Sequence, residues 1–167
     1  YRGVKRMDIA EITKMIEAVK QIIEKNDYID LPLFQNSSQL RLKGNNYNFI
    51  LDLNRKGHRR PKCTFQLREK RNKEQPLVRV DIIGRPHQNP VGDFKWSNKV
   101  IPCPHLHRAD FPKYGTHVAV PLLEKNENFQ LSQNDLNNLC ECLKKTLKFL
   151  NVDNINSYNF REQESLF

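Results

Sequence analysis

Leu40-Arg41-Leu42-Lys43-Gly44-Asn45-Asn46-Tyr47-Asn48-Phe49-Ile50-Leu51-Asp52-Leu53 is the stretch that decides the fold. Apolar side chains recur at every second position on both sides of a Gly-Asn-Asn group. A period of two places one set of side chains on a single face of a strand, and Asn and Gly accept the left-handed backbone of a tight hairpin turn. The stretch predicts two antiparallel strands with one apolar and one polar face. The alternation returns downstream, where Cys63, Phe65 and Leu67 alternate with Thr64, Gln66 and Arg68. Val78, Val80 and Ile82 then alternate with Arg79 and Asp81 across a polar turn at 71–76, and a last strand is expected at 117–122.

Helical periodicity flanks these strands. Asp8-x-x-Glu11 reads as a capping box, and Ile9, Ile12, Ile16, Val19, Ile22 and Ile23 share one face of a helix over 8–25. Ser132-x-x-Asp135 opens a second helix with Leu136, Leu139, Cys140, Leu143, Leu147 and Leu150 as its stripe and Asn151 as its stop. The fold class expected is α+β: an antiparallel sheet of four to six strands covered by an N-terminal and a C-terminal helix. At 167 residues one domain over 1–167 is expected. Residues 1–7 read as a leader, an extraneous addition or an alternative start, with no assigned function.

The formal net charge is +9, and it is unevenly placed. Residues 31–75 carry eleven basic and three acidic side chains, while residues 118–167 carry five and seven. The densest run is Arg55 to Lys73, where nine cations face only Glu69. Like charges gathered so closely repel, and a polyanionic partner is the usual reason for collecting them. The alternative is a solvated strip. Apolar runs are only a handful of residues long, so no membrane span is expected. Tyr1–Glu11 has no apolar core of a signal peptide, and Cys63, Cys103, Cys140 and Cys142 show no disulfide framework; a cytoplasmic location is expected.

Two segments resist the strand–helix pattern. One is the basic connection 54–62, with Gly57, His58 and Pro61. The other is 84–115, which holds five of the nine prolines and three of the five histidines. Ordered loops of that length are commonly functional. If residues 101–107 are extended, Ile101, Cys103, His105 and His107 fall on one face, with His87 nearby.

Three readings of this histidine segment stand side by side. The first is a metal site of Cys103, His105 and His107, completed by His87 or Cys63, with zinc as the ion; it is the alternative to the expectation of no metal and no cofactor, because the usual ligand spacings are missing. The second is acid–base catalysis by His87, His105 and His107, since histidine both takes and gives protons near neutral pH. The third is a scaffold in which the ring nitrogens satisfy buried backbone. Phe94 and Trp96 read as a base-stacking platform or as the anchor of the loop. Asp81 and Asp93 read as ordinary turn or salt-bridge partners.

Five motifs carry a family resemblance: Leu51-Asp52-Leu53-Asn54-Arg55, Lys62-Cys63-Thr64-Phe65-Gln66-x-Arg68, Leu77-Val78-Arg79-Val80-Asp81, Gly84-x-Pro86-His87-x-Asn89-Pro90-x-Gly92 and Ile101-Pro102-Cys103-Pro104-His105-Leu106-His107. Over about residues 40–122 the chain resembles an uncharacterised family of small bacterial proteins met in prophage and other mobile-element settings. The resemblance implies no activity. Two departures stand out: a long stretch Val91–Val100 between the histidine elements, and Tyr114-Gly115-Thr116-His117 where a Lys-Trp pair is expected.

Charge and histidines together lead to a nucleic-acid-directed protein with RNA as the favoured partner. Its leading form is a metal-independent, toxin-like endoribonuclease of a mobile element. Arg55, Arg59, Arg60, Lys62, Arg68, Arg85 and Arg108 would hold phosphates beside the histidines. One alternative is a non-enzymatic regulator or defence inhibitor that binds nucleic acid or nucleoprotein. Another is an antitoxin-like inhibitor that binds an acidic protein.

Overall fold

A computed structural model of the chain describes residues 6–125 and 128–163. The expectation for residues 1–5 lies outside the described residues; Met7 packs against the core. The chain opens with helix α1 (Ile9–Glu17), followed by strands β1 (Gln21–Ile22), β2 (Tyr28–Leu31), β3 (Ser37–Gly44), β4 (Tyr47–Asn54), β5 (Cys63–Glu69) and β6 (Val78–Ile83). Short strands β7 (His87–Gln88), β8 (Val100–Ile101), β9 (His105–Arg108) and β10 (Val120–Pro121) follow, then helix α2 (Leu139–Phe149) and β11 (Asn159–Glu162).

The deciding hairpin forms as its sequence dictates. Leu42 stands opposite Phe49 and Gly44 opposite Tyr47, so Asn45 and Asn46 alone make the turn. Both have positive φ, 52° and 66°, the left-handed pair that matches the twist of the flanking strands. From this hairpin an antiparallel sheet of seven strands grows in the order β1-β3-β4-β5-β6-β9-β10. The expected four to six strands fall short because β1, β9 and β10 are two to four residues long, too brief for a period to show. The strand expected at 117–122 shrinks to β10 behind a 3-10 turn at Gly115–His117. A separate parallel pair, β2 with β11, joins residues near the two ends of the chain.

Leu40, Leu42, Phe49, Leu51, Leu53, Phe65, Leu67, Val78, Val80 and Leu106 face one side of the sheet and are buried there with the apolar faces of both helices. Burying this set removes the largest share of apolar surface from water, which is the main driving force of the fold. Alternate residues on the same strands face the other way and are mostly polar, with Ile50 an exception between Arg41 and Arg68.

The first helix is shorter than its periodicity predicts. It ends at Glu17, Ala18 is extended, and Val19 and Ile23 are exposed. The cause is Lys20, which is 0% exposed and donates from Nζ to the carbonyls of Ile16 (2.7 Å), Ala18 (2.8 Å) and Leu150 (2.9 Å). One ammonium thereby satisfies carbonyls at the C-terminal ends of both helices, groups that have no partner within their own helix. Asp8 forms no capping bond. Ser132 and Asp135 do bond reciprocally, yet they open a 3-10 turn at Asp135–Asn137; Asn138 caps α2 instead. Asn151 ends the helix with φ of 62°, as expected of a left-handed stop.

Candidate functional site: a histidine cluster on the polar face of the sheet

The registers line up the polar face in rows. Gln39, Asp52, Gln66, Arg79 and His107 stand opposite one another across five strands. Asn54, Thr64, Asp81 and His105 form the next row. Directly opposed side chains of an antiparallel pair are close enough to interact, so the pairing of β6 with β9 delivers two histidines onto an arginine and an aspartate.

Asp81 is the hub. Its Oδ2 lies 3.0 Å from His105 Nε2 and 3.4 Å from His107 Nε2, and it accepts from Arg79 Nε at 3.1 Å. Thr64 Oγ1 donates to Oδ1 at 2.9 Å. The outer ring nitrogens are also held: His105 Nδ1 is 3.2 Å from the Pro102 carbonyl, and His107 Nδ1 is 2.8 Å from that of Thr116. Both rings are 1% exposed. Since a carbonyl only accepts, each Nδ1 carries the proton and each Nε2 faces the carboxylate.

The two rings titrate in opposite directions. Burial pulls His105 down, but its bonds to Asp81 and Cys103 outweigh this and raise it to about 9. Burial lowers His107, and the charges of Arg79 and His105 lower it further against the pull of Asp81. Burial works against the ionised form of Asp81, yet the hydrogen bond from His105, the nearby His107 ring, the Arg79 charge and the Thr64 hydroxyl hold it well below the usual carboxylate range. The surroundings thus favour a proton on His105 over one on His107, with Arg79 Nη2 3.3 Å from His107 Nε2.

His87 completes the cluster. Its ring centroid is 4.8 Å from that of His107 and 6.2 Å from that of His105, while His105 and His107 are 4.9 Å apart. It is half-buried, and its Nε2 lies 2.7 Å from the His117 carbonyl. The long proline-rich segment therefore folds over the polar face. Asn89, 1% exposed, staples it down: Nδ2 donates to Trp96 and Ala119 carbonyls at 3.0 and 2.9 Å, and Oδ1 accepts from Ala119 N at 2.7 Å. Phe94 packs against Phe111 and Tyr114, with centroids 5.5 and 5.3 Å away, the geometry of an anchor. Gly92 leaves room for this packing, because a Cβ there would lie 2.2 Å from the Tyr114 hydroxyl and would displace that ring. The segment 114–117, where the motif departs from the resemblance, enters the site through the carbonyls of Thr116 and His117.

The basic run divides. Loop 55–62, Arg85 and the Cys103–Pro104 approach to β9 all lie at the end of the sheet where Asp81 and His105 stand. Arg59, Arg60 and Arg85 are exposed there and Lys62 is half-buried. Arg55 is partly buried and donates to the Pro32 carbonyl at 3.2 Å. Lys70, Arg71 and Lys73 follow the opposite end of β5. Arg68 is tied to Asp52 at 2.6 Å. Arg108 is not with the histidines: it alternates with His107, pairs with Asp110 at 2.9 Å and lies 5.6 Å from the Phe149 ring on the helix side.

The structure also reassigns the donors considered for a metal. Cys63 is in the core on the opposite face, and Cys103 Sγ lies 3.8 Å from Nδ1 of His105, the nitrogen turned away from Asp81. The carboxylate of Asp81, read from sequence as an ordinary salt-bridge partner, takes the third place beside His105 and His107. The outward position of Asp81 on a strand was the available signal; its meaning required the pairing with β9.

Among the described residues no helix is long and apolar enough to cross a membrane. No curated protein and no solved structure matches the chain. Residues 7–152 match a family model described as a family of unknown function (DUF6978), and the chain belongs to that family.

Proposed function

We propose that the chain is a nucleic-acid-binding module that grips phosphates at the cationic end of the sheet, with the histidine cluster as the scaffold that shapes that end. The carrying observation is a contrast in pairing. Arg41, Arg68, Arg79 and Arg108 are matched by Glu24, Asp52, Asp81 and Asp110. Lys56, Arg59, Arg60, Lys62 and Arg85 form no ion pair among the described residues, and all five stand at one end. Unmatched cations on an ordered rim are what a phosphate backbone recruits.

Burial favours binding over cleavage. A general base must come within hydrogen-bond reach of the proton it removes. His105 and His107 are 1% exposed and spend both ring nitrogens inside the protein. His87 is the more open ring, and its Nε2 is bonded to backbone.

The test is fluorescence anisotropy with labelled single-stranded RNA and duplex DNA over a salt series. Binding should weaken with salt, by a log–log slope of about −0.7 per phosphate contacted for single strands and about −0.9 for duplex. Arg59→Ala/Arg60→Ala should flatten that slope, and the RNA should be recovered intact. Absence of salt-dependent binding to either polymer overturns the reading. RNA cleavage abolished by His87→Ala would establish the nuclease in its place.

A further inference from the structure

We propose that Asp81, His105 and His107 form a binding site for one divalent first-row transition-metal ion, with Nε2 of each histidine and one carboxylate oxygen as ligands. The inference concerns the cluster itself and does not depend on what the cationic rim binds.

Four features of the cluster carry it. The first is convergence, since the three ligand atoms lie within 4.8 Å of one another. The second is spacing. Around an ion with ligand distances of about 2.1 Å, neighbouring donors sit about 3.0 Å apart in an octahedron and about 3.4 Å apart in a tetrahedron. Asp81 Oδ2 is 3.0 Å from His105 Nε2 and 3.4 Å from His107 Nε2; the remaining pair lies within 4.8 Å and must come to no more than about 4.2 Å, twice the ligand distance, when an ion binds. The third is the outer shell: metal-bound histidines almost always give their second N–H to a carbonyl or carboxylate, which fixes tautomer and ring angle. Here Pro102 and Thr116 carbonyls take both Nδ1 positions, and Thr64 holds the far carboxylate oxygen. The fourth is burial, which shields the set from competing water.

Two imidazoles and one carboxylate suit iron(II), zinc or cobalt(II) better than magnesium or calcium, which favour all-oxygen shells. Such a trio leaves coordination positions open, and the half-buried His87 stands beside them. Arg79 opposes the ion: its guanidinium reaches both Asp81 and His107. Its side chain is 42% exposed, so it has room to turn into solvent.

The experiment titrates the full chain, stripped with chelator, with cobalt(II), followed by its visible ligand-field band, then displaces it with zinc. One ion per chain should bind, and the melting temperature should rise with ion concentration. Thr64→Val should cost about 10–100-fold in affinity by releasing the carboxylate, and Asp81→Asn at least as much. Arg79→Gln should tighten binding, while His58→Ala in the loop 55–62 leaves it unchanged. If one equivalent of cobalt gives neither a band nor a shift in melting temperature, the site is a protonated imidazole–carboxylate pair and the proposal fails. Binding that survives Thr64→Val and Arg79→Gln unaltered overturns it equally, even where Asp81→Asn does not fold.

Discussion

Two buried charged residues organise this protein from opposite faces of its sheet. On the helix side Lys20 sits among three carbonyls and 5.0 Å from the centre of the Phe49 ring. Burial lowers it from 10.5 to about 8, so losing contact with water costs the ammonium more than neutral acceptors return. The unfolded chain keeps this proton until a higher pH than the folded one does. Stability should therefore rise, relative to a Lys20→Met variant, as pH climbs from about 8 to 10.5. The gain is on the order of 3 kcal/mol, and comparison with the variant cancels the titration of other groups. Urea unfolding of both proteins at about pH 7 and about pH 10 measures it; a constant gap would mean that the ammonium is no worse off inside than out. On the polar face Asp81 has the converse role, as the anion that four cationic or polar neighbours share. Neither role was legible from the residue alone. Lys20 looks like a solvated member of a helix and Asp81 like a lone acid on a strand.

At the scale of elements, the decisive unit is the proline-rich segment that folds over the sheet. Its only fully buried polar side chain among residues 84–104 is Asn89, whose amide replaces three backbone partners at once. Asn89→Ala should strand the Ala119 N–H and two carbonyls, costing about 2–4 kcal/mol. Amide hydrogen exchange would then show residues 87–101 opening well before the central strands; protection retained across that segment would assign the staple to Phe94 and its aromatic partners instead. The difference in legibility between elements is physical. The β3–β4 hairpin was readable because apolar residues at every second position on both sides of Gly44-Asn45-Asn46 encode it locally. The strand β9 was legible only as a conditional extended stretch at 101–107, because it is four residues long, follows two prolines, and draws its stability from pairing with β6 some 25 positions upstream. A one-dimensional period carries no trace of such a partner. The first helix was read too long for the reverse reason: Val19, Ile22 and Ile23 continue a helical period, but the chain breaks so that Lys20 can turn inward.

Over the whole molecule, the charge resolves into two separate groups. The seven residues of β5 span about 20 Å at ~3.3 Å each, and they divide the loop 55–62 from Lys70, Arg71 and Lys73. Replacing Arg71 and Lys73 with Ala should leave the salt slope of nucleic-acid binding nearly intact, whereas loss of Arg59 and Arg60 should flatten it. Equal effects would point to a diffuse cationic field rather than a rim. The family match ends at residue 152, which leaves β11 outside it. That strand lies parallel to β2 along four residue pairs, from Asn159 beside Tyr28 to Glu162 beside Leu31. A chain cut after Tyr158 would retain β2 but leave its hydrogen-bonding groups along that side unsatisfied, the condition in which strands recruit copies of themselves. Sedimentation should then show stronger concentration-dependent self-association than the intact chain gives under the same conditions. The last strand is thus a guard for β2, covering one edge that a second strand could otherwise pair with.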